Sequence, residues 1–167
     1  MKKVEEPMKI ALINENSQAS KNAIIYKALK DVADEKGHES FNYGMTGKEG
    51  ESRLTYVQNG LLASILLGTK AVDFVVTGCG TGVGAMLACN SFPGVVCGIA
   101  IEPTDAYLFS QINGGNALSI PYAKGFGWGP SSTSRSSSSA CSPSRWVAGT
   151  PRNGWSLSSA MHASSTR

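Results

Sequence analysis

A glycine-rich run with a cysteine inside it, TGCGTGVGAM at residues 77–86, holds the residues best suited to chemistry. An apolar run typical of a buried strand precedes it, and a helical pattern follows it. Four residues of the run lack a Cβ atom: Gly78, Gly80, Gly82 and Gly84. Without side chains at these positions, the backbone N–H groups can face a ligand. A helix start adds partial positive charge that favours an anion or an enediolate. We therefore expect an anion-binding turn, with tight strand-to-helix packing as the alternative.

The spacing of these glycines separates the run from two common phosphate motifs. The dinucleotide fingerprint GxGxxG would need glycine at position 83, where Val83 stands, and it would follow the first strand rather than the third. A P-loop is excluded because the sequence contains no Gly-Lys-Ser/Thr.

Cys79 is the candidate reactive group of the turn. Backbone amides at a helix start favour a thiolate, which can act as a base or a nucleophile. The alternative is a small buried apolar residue, and the turn alone does not decide between the two. Cys89 and Cys97 fall in an expected helix and strand and are expected in the core, while Cys141 carries no signal. The four cysteines form no CxxC pair and show no zinc spacing.

The elements that must position this turn alternate between strand and helix patterns. Such alternation predicts a three-layer α/β/α Rossmann-like sandwich around a five-stranded parallel sheet with right-handed crossovers. Strands are predicted at 8–14, 41–44, 71–77, 94–101 and 116–121, and helices at 19–36, 54–67, 82–91 and 104–112.

The composition changes abruptly after Gly129, which predicts the end of the folded domain there. We expect an N-terminal extension at 1–7, an α/β domain at 8–129, and a Ser/Arg-rich tail at 130–167 that lacks the usual last helix. Residues 1–129 carry 11 basic and 12 acidic residues, while the tail carries four arginines and no acidic residue. The tail also holds 14 serines in 38 residues. It is either naturally disordered or translated off frame from a helix-coding segment.

Three segments together resemble the LacAB/RpiB family of ribose-5-phosphate isomerase B and galactose-6-phosphate isomerase. They are CGTGVG at 79–84, NSFPGV at 90–95, and the Q-x-N-x-x-N pattern that ends in Asn113 and Asn116. The resemblance covers about residues 8–129. It implies aldose–ketose isomerisation of a phosphorylated sugar through a cis-enediol, without metal or organic cofactor. It also implies a homodimer or homotetramer with active sites shared across the interface.

The resemblance assigns roles to individual residues. Cys79 matches the base that moves a proton between C1 and C2. Thr81, with Gly80 and Gly82, matches the groups that steady the developing oxyanion. Asn113 and Asn116 match asparagines near the substrate, although their residue types also fit a helix stop.

The chain departs from the family pattern at its histidines. The family's Asp-His after the first strand is Glu15-Asn16 here, and its ring-opening histidine is Ile112. Glu15 is either a replacement acid/base or a partner of the helix dipole, and Asn16 would bind substrate. His38 is expected on the surface. The family's phosphate-binding arginines would fall in the tail. Because the tail sequence does not follow the family pattern, none of its arginines is assigned this role.

A second class of function stays open. If the missing histidines mean that catalysis is lost, the chain would be a non-catalytic module that binds a sugar phosphate or nucleotide at the same turn. A covalent Cys79 nucleophile is disfavoured, since no histidine stands at a recognisable partner position. The near-neutral domain, the absence of a secretory signal and the short apolar runs predict a cytoplasmic protein without nucleic-acid or membrane partners. With this tail, we expect a poorly stable chain that is weakly active or inactive.

Overall fold

The structure, a computed structural model, describes residues 7–123 as a parallel five-stranded sheet covered by helices. The strands lie in the order β2-β1-β3-β5-β4, and every neighbouring pair is parallel. In chain order they are β1 (Lys9–Asn14), β2 (Glu39–Asn42), β3 (Phe74–Cys79), β4 (Cys97–Ile99) and β5 (Ala117–Pro121). The predicted fold class is confirmed.

Helices connect the successive strands. A short 3₁₀ helix (Asn16–Lys21) leads into α1 (Asn22–Lys36), and the later helices are α2 (Tyr56–Gly68), α3 (Val83–Asn90) and α4 (Pro103–Ile112). Among the described residues, no helix is both long and apolar enough to cross a bilayer. The predicted extension at 1–7, apart from Pro7, and the predicted tail at 130–167 lie outside the described residues.

Two apolar clusters, one on each face of the sheet, form the core. On one face, Ile25 and Leu29 of α1 and Ala106 of α4 pack on the sheet. On the other, Ala63 of α2 and Cys89 of α3 do so. Because β3 is covered on both faces, all six of its residues are buried, and its sequence is nearly continuous in apolar residues.

Most element boundaries differ from those predicted by one to three residues; the central strand, for example, runs over 74–79 rather than 71–77. The helix predicted at 19–36 is split into the 3₁₀ helix and α1. The second strand starts earlier, at Glu39, because Gly37 ends α1 in a left-handed conformation (φ 74°) and the chain turns at once into the sheet. The fourth strand is shorter, because the Asn116 side chain, rather than a neighbouring strand, accepts a hydrogen bond from Val96 N–H (2.8 Å).

The expected surface position of His38 is wrong. This residue is only 7% exposed, and its Nδ1 accepts a hydrogen bond from Met8 N–H (3.3 Å). The sharp turn at Gly37 folds the imidazole against the start of β1, which a hydropathy pattern does not reveal.

Candidate active site

Cys79 is the last residue of the central strand β3, at the edge where the parallel strands end. The residue is buried, with 9% of its surface exposed. Its Sγ lies 3.8 Å from where a Cβ on Gly84 would stand, and two ring carbons of Tyr56 lie 3.7 Å from the same point. The thiol therefore faces the first turn of α3, beside the start of α2.

The turn after Cys79 is fixed against β5. Gly82 adopts φ 79°, and a Cβ there would lie 3.1 Å from Pro121 N, so a side chain would be strained and crowded. Ser119 Oγ donates a 2.6 Å hydrogen bond to the Gly82 carbonyl. The first N–H groups of a helix have no intrahelical acceptor, and glycine offers no side-chain cap. The turn could therefore hold an anion at these N–H groups, and Thr81 is exposed beside it.

The chain leaves β5 along this turn. Tyr122 N–H donates to the Cys79 carbonyl and Ala123 N–H donates to the Gly80 carbonyl, both at 2.9 Å. The Tyr122 ring covers Gly78, where a Cβ would come within 2.6 Å of Cε2. Burial raises the pKa of Tyr122, and the charge of Cys79 raises it further. The sequence analysis missed this residue because its only signal was an aromatic side chain just after the last strand.

Glu15 and Asn16 follow β1, which neighbours β3, so they lie at the same sheet edge as Cys79. Glu15 is 6% exposed, and its Oε2 accepts a 2.6 Å hydrogen bond from Ser17 N–H. The Ser17 hydroxyl also donates to Glu15 Oε1, so the carboxylate caps the 3₁₀ helix. Asn16 is exposed, and its N–H donates to the Leu54 carbonyl (2.8 Å). In this conformation Glu15 therefore acts as a helix cap.

A polar chain missed by the sequence analysis joins this segment to the end of β5. Gln18 Nε2 donates to Ser17 Oγ (2.9 Å), and Lys21 Nζ donates to Gln18 Oε1 (3.1 Å) and to the Tyr122 carbonyl (2.7 Å). Gln18 Nε2 also lies 4.0 Å from the position of a Cβ on Gly80. An amide and an ammonium group therefore border the turn.

The two predicted substrate asparagines lie at the opposite sheet edge. Asn113 ends α4 and is exposed. Asn116 Oδ1 accepts from Val96 N–H, and its Nδ2 donates to the Gly94 carbonyl (2.8 Å). The four-residue rise from Ala117 to Pro121, the partner of Cys79, is roughly 13 Å. The structure does not bring these asparagines to the Cys79 of their own chain.

The other described cysteines lie in the core, as predicted: Cys89 is fully buried and Cys97 is 5% exposed. A hydrogen bond to Cys89 raises the pKa of the Cys97 thiol, and burial raises it further. Within residues 7–123, no three histidine, cysteine or acidic side chains are grouped so that they could hold a metal ion.

The described residues form a parallel α/β sheet whose central strand ends in a cysteine and is followed by a glycine-rich turn at the carboxyl edge, where ligands commonly bind in open α/β sheets. The sequence matches the family model for ribose/galactose isomerase over residues 10–126, which is more than half of the chain. The chain therefore belongs to this family of sugar isomerases.

Solved structures give the same result. A 4-deoxy-L-threo-5-hexosulose-uronate ketol-isomerase complexed with a tartrate is 69% identical, with a TM-score of 0.73 over 84% of this chain and 61% of that one. A ribose-5-phosphate isomerase from Vibrio parahaemolyticus is 52% identical, with a TM-score of 0.75 over 89% and 66%. The chain thus spans less than two thirds of the length of either.

A ribose 5-phosphate isomerase from Thermotoga maritima shares the fold at 19% identity, with a TM-score of 0.61 over 95% of this chain and 97% of that one. No curated protein matches the chain significantly.

Proposed function

We propose that the chain is a ketol-isomerase for an anionic sugar, in which Cys79 moves a proton between neighbouring carbons. The observation that carries this proposal is the position of the thiol, at the end of β3 and facing the first turn of α3. The anionic intermediate would form next to the free amides of that turn, whose partial positive charge favours it.

In the proposed reaction, the Cys79 thiolate takes the proton from the carbon next to the carbonyl of the open-chain sugar. The C–H electron pair becomes the C=C bond of a cis-enediolate, and the carbonyl oxygen becomes an oxyanion. A proton then passes between the two oxygens, and the thiol returns its proton to the former carbonyl carbon. No metal or organic cofactor takes part.

Residues around Cys79 would stabilise the intermediate, transfer the second proton and bind the substrate. Thr81, with the amides of Gly80 and Gly82, would stabilise the oxyanion. Glu15 would carry the proton between the two oxygens after Ser17 releases its carboxylate, and Asn16 would bind a sugar hydroxyl.

We place a carboxylated hexose first among the substrates, because the 69%-identical structure is a hexosulose-uronate ketol-isomerase. A phosphorylated pentose or hexose comes second, supported by the ribose-5-phosphate isomerase that is 52% identical. Both substrates carry an anionic group at one end, which the amide and ammonium groups of Gln18 and Lys21 suit.

A second copy of the chain would complete the site, since Asn113 and Asn116 lie far from their own Cys79. We propose a homodimer, or a homotetramer built from it, formed through an apolar surface that we call the α2–α3 face. Its residues are between 44% and 58% exposed: Val57, Leu61, Ile65, Val83 and Leu87. The free thiols at Cys79, Cys89 and Cys97 suit a reducing compartment, so we place the protein in the cytoplasm.

The test is turnover of 4-deoxy-L-threo-5-hexosulose uronate and of a panel of phosphorylated pentoses and hexoses in D₂O. Wild-type protein should convert one of them and incorporate deuterium at the carbon that receives the proton. Cys79→Ala should lower kcat by about 10²- to 10⁴-fold, because it removes the base. Cys89→Ala is the matched control, because Cys89 is buried in α3 away from the turn.

Two results would contradict the proposal. If Cys79→Ala turned over like wild type, Cys79 would not be the base. If wild type bound these sugars and converted none, the non-catalytic binding module would be the better description.

A further inference from the structure

Gly84, in the first turn of α3, is a glycine that neither backbone conformation nor packing requires. It lies outside the left-handed region that Gly82 occupies. A Cβ at Gly84 would meet its nearest neighbours only at 3.7–3.8 Å, which is ordinary contact. Alanine is also favoured over glycine within a helix. The missing side chain therefore calls for a role other than folding.

The three atoms nearest to the position of that missing Cβ belong to Tyr56 and Cys79. Cδ2 and Cε2 of the Tyr56 ring lie 3.7 Å from it, and Cys79 Sγ lies 3.8 Å from it. The ring and the thiol therefore border the same space, which a side chain at Gly84 would occupy. Because glycine leaves this space free, a ligand can come close to the backbone beside the thiol.

Tyr56 is fixed at its backbone and open to solvent at its side chain. It is the first residue of α2, and Thr55 and Gln58 form a capping box around it. The Leu54 carbonyl accepts a hydrogen bond from Asn16 N–H (2.8 Å), which joins the start of α2 to the segment after β1. The Tyr56 side chain is nevertheless 46% exposed. An exposed aromatic ring next to a recessed reactive group is typical of the lining of a ligand site.

We propose that Tyr56 is a substrate-binding residue whose ring, with Cys79 and the bare backbone of Gly84, forms a cleft for the carbon chain of the sugar. The ring packs on the C–H bonds of the open chain and keeps water away from the reacting carbons. The missing side chain at Gly84 lets those carbons approach the thiol. This inference rests on the proposed function and adds to it the residue that recognises the apolar side of the substrate.

The first experiment needs no turnover. The alkylation rate of Cys79 by N-ethylmaleimide is measured in the full-length chain by mass spectrometry of the Cys79 peptide. Tyr56→Ala should react about three- to tenfold faster, because the ring no longer borders the thiol, and Gly84→Ala should react more slowly, because a methyl group fills the cleft. Tyr107→Ala is the matched control. Tyr107 is 40% exposed on α4, which packs on the opposite face of the sheet, so its Cys79 rate should equal wild type.

The second experiment measures steady-state turnover of the sugar that wild type converts. Tyr56→Ala should raise KM about tenfold with a smaller change in kcat, because the ring contacts the bound substrate and the transition state alike. Tyr56→Phe keeps the ring and should retain KM within about twofold. Gly84→Ala should raise KM although it melts at or above the wild-type temperature, a combination that a purely structural glycine would not give.

If wild type converts no sugar, the same variants are compared by the concentration of 4-deoxy-L-threo-5-hexosulose uronate that protects Cys79 from alkylation. A concentration about tenfold higher for Tyr56→Ala would support the cleft and refute the proposed function. Absence of protection in wild type would overturn both.

Three other results would overturn the inference. One is an alkylation rate that neither Tyr56→Ala nor Gly84→Ala changes. The second is a wild-type KM in Tyr56→Ala. The third is a Tyr56→Ala variant that loses mass in light scattering and keeps its alkylation rate, since the ring would then belong to the α2–α3 face.

Discussion

At the scale of single residues, packing requires some glycines of the turn and not others, a difference that the sequence could not show. A Cβ on Gly78 would collide with the Ile120 carbonyl at 2.2 Å, so this glycine is required for packing. A Cβ on Gly80 or Gly84 would meet its neighbours only at 3.7–4.0 Å, which is ordinary contact. Tight packing, one of the two alternatives drawn from the sequence, therefore explains Gly78 but not Gly80 or Gly84, where the ligand approach that we propose stays a prediction.

Tyr122 also makes a pH dependence testable at this scale. Its pKa is raised by burial and by Cys79, so between about pH 10, the unfolded value, and the folded value the native state binds more protons than the unfolded state. The contribution of Tyr122 to the free energy of unfolding should then be constant below about pH 10. Above that pH it should decrease, by about 1.4 kcal/mol per pH unit. Urea unfolding between pH 8 and pH 11 measures this loss. Tyr122→Phe should lose less stability over the same range, and equal losses in both proteins would contradict the prediction.

At the scale of elements, the sequence predicted the strands and helices whose apolar residues follow a regular pattern. The buried apolar run at 71–77 predicted the central strand, found at Phe74–Cys79, because covering both faces imposes a continuous apolar sequence. The sequence did not predict the contacts that single polar side chains make. The Asn116 amide shortens the fourth strand, and the Glu15 carboxylate caps a 3₁₀ helix, and both depend on where a side chain points after folding. The position of Cys79 was therefore predictable, while its surroundings from Gln18, Lys21 and Tyr122 were not.

Asn116 and Asn113 allow a test at the same scale. Asn116→Ala should destabilise the protein by about 0.5–1.5 kcal/mol, because it removes two solvent-exposed hydrogen bonds, to Val96 N–H and to the Gly94 carbonyl. Asn113→Ala, at an exposed helix end, should change stability by less than about 0.5 kcal/mol. Chemical denaturation measures both effects. If Asn113 contributes to the site of a second copy, its variant should instead raise KM, and an unchanged KM would remove it from the site.

At the scale of the whole molecule, the α2–α3 face predicts self-association. Apolar side chains on two adjacent helices would be covered by a second copy, and a charge placed among them would oppose this. Leu61→Glu should therefore shift the protein from the proposed dimer to a monomer in light scattering, and it should lower turnover if the two copies share the site as proposed. Lys27→Glu, on the exposed surface of α1, is the control and should leave the mass unchanged. A monomeric wild type, or a Leu61→Glu variant of unchanged mass, would contradict this prediction.

The route by which the chain leaves its last strand links that strand to the turn after Cys79. The N–H groups of Tyr122 and Ala123 donate to the carbonyls of Cys79 and Gly80, both at 2.9 Å. Two backbone hydrogen bonds therefore anchor the turn to the residues that directly follow β5. A truncation that removed Tyr122 and Ala123 would take away both bonds, so the turn would lose support together with the sheet edge.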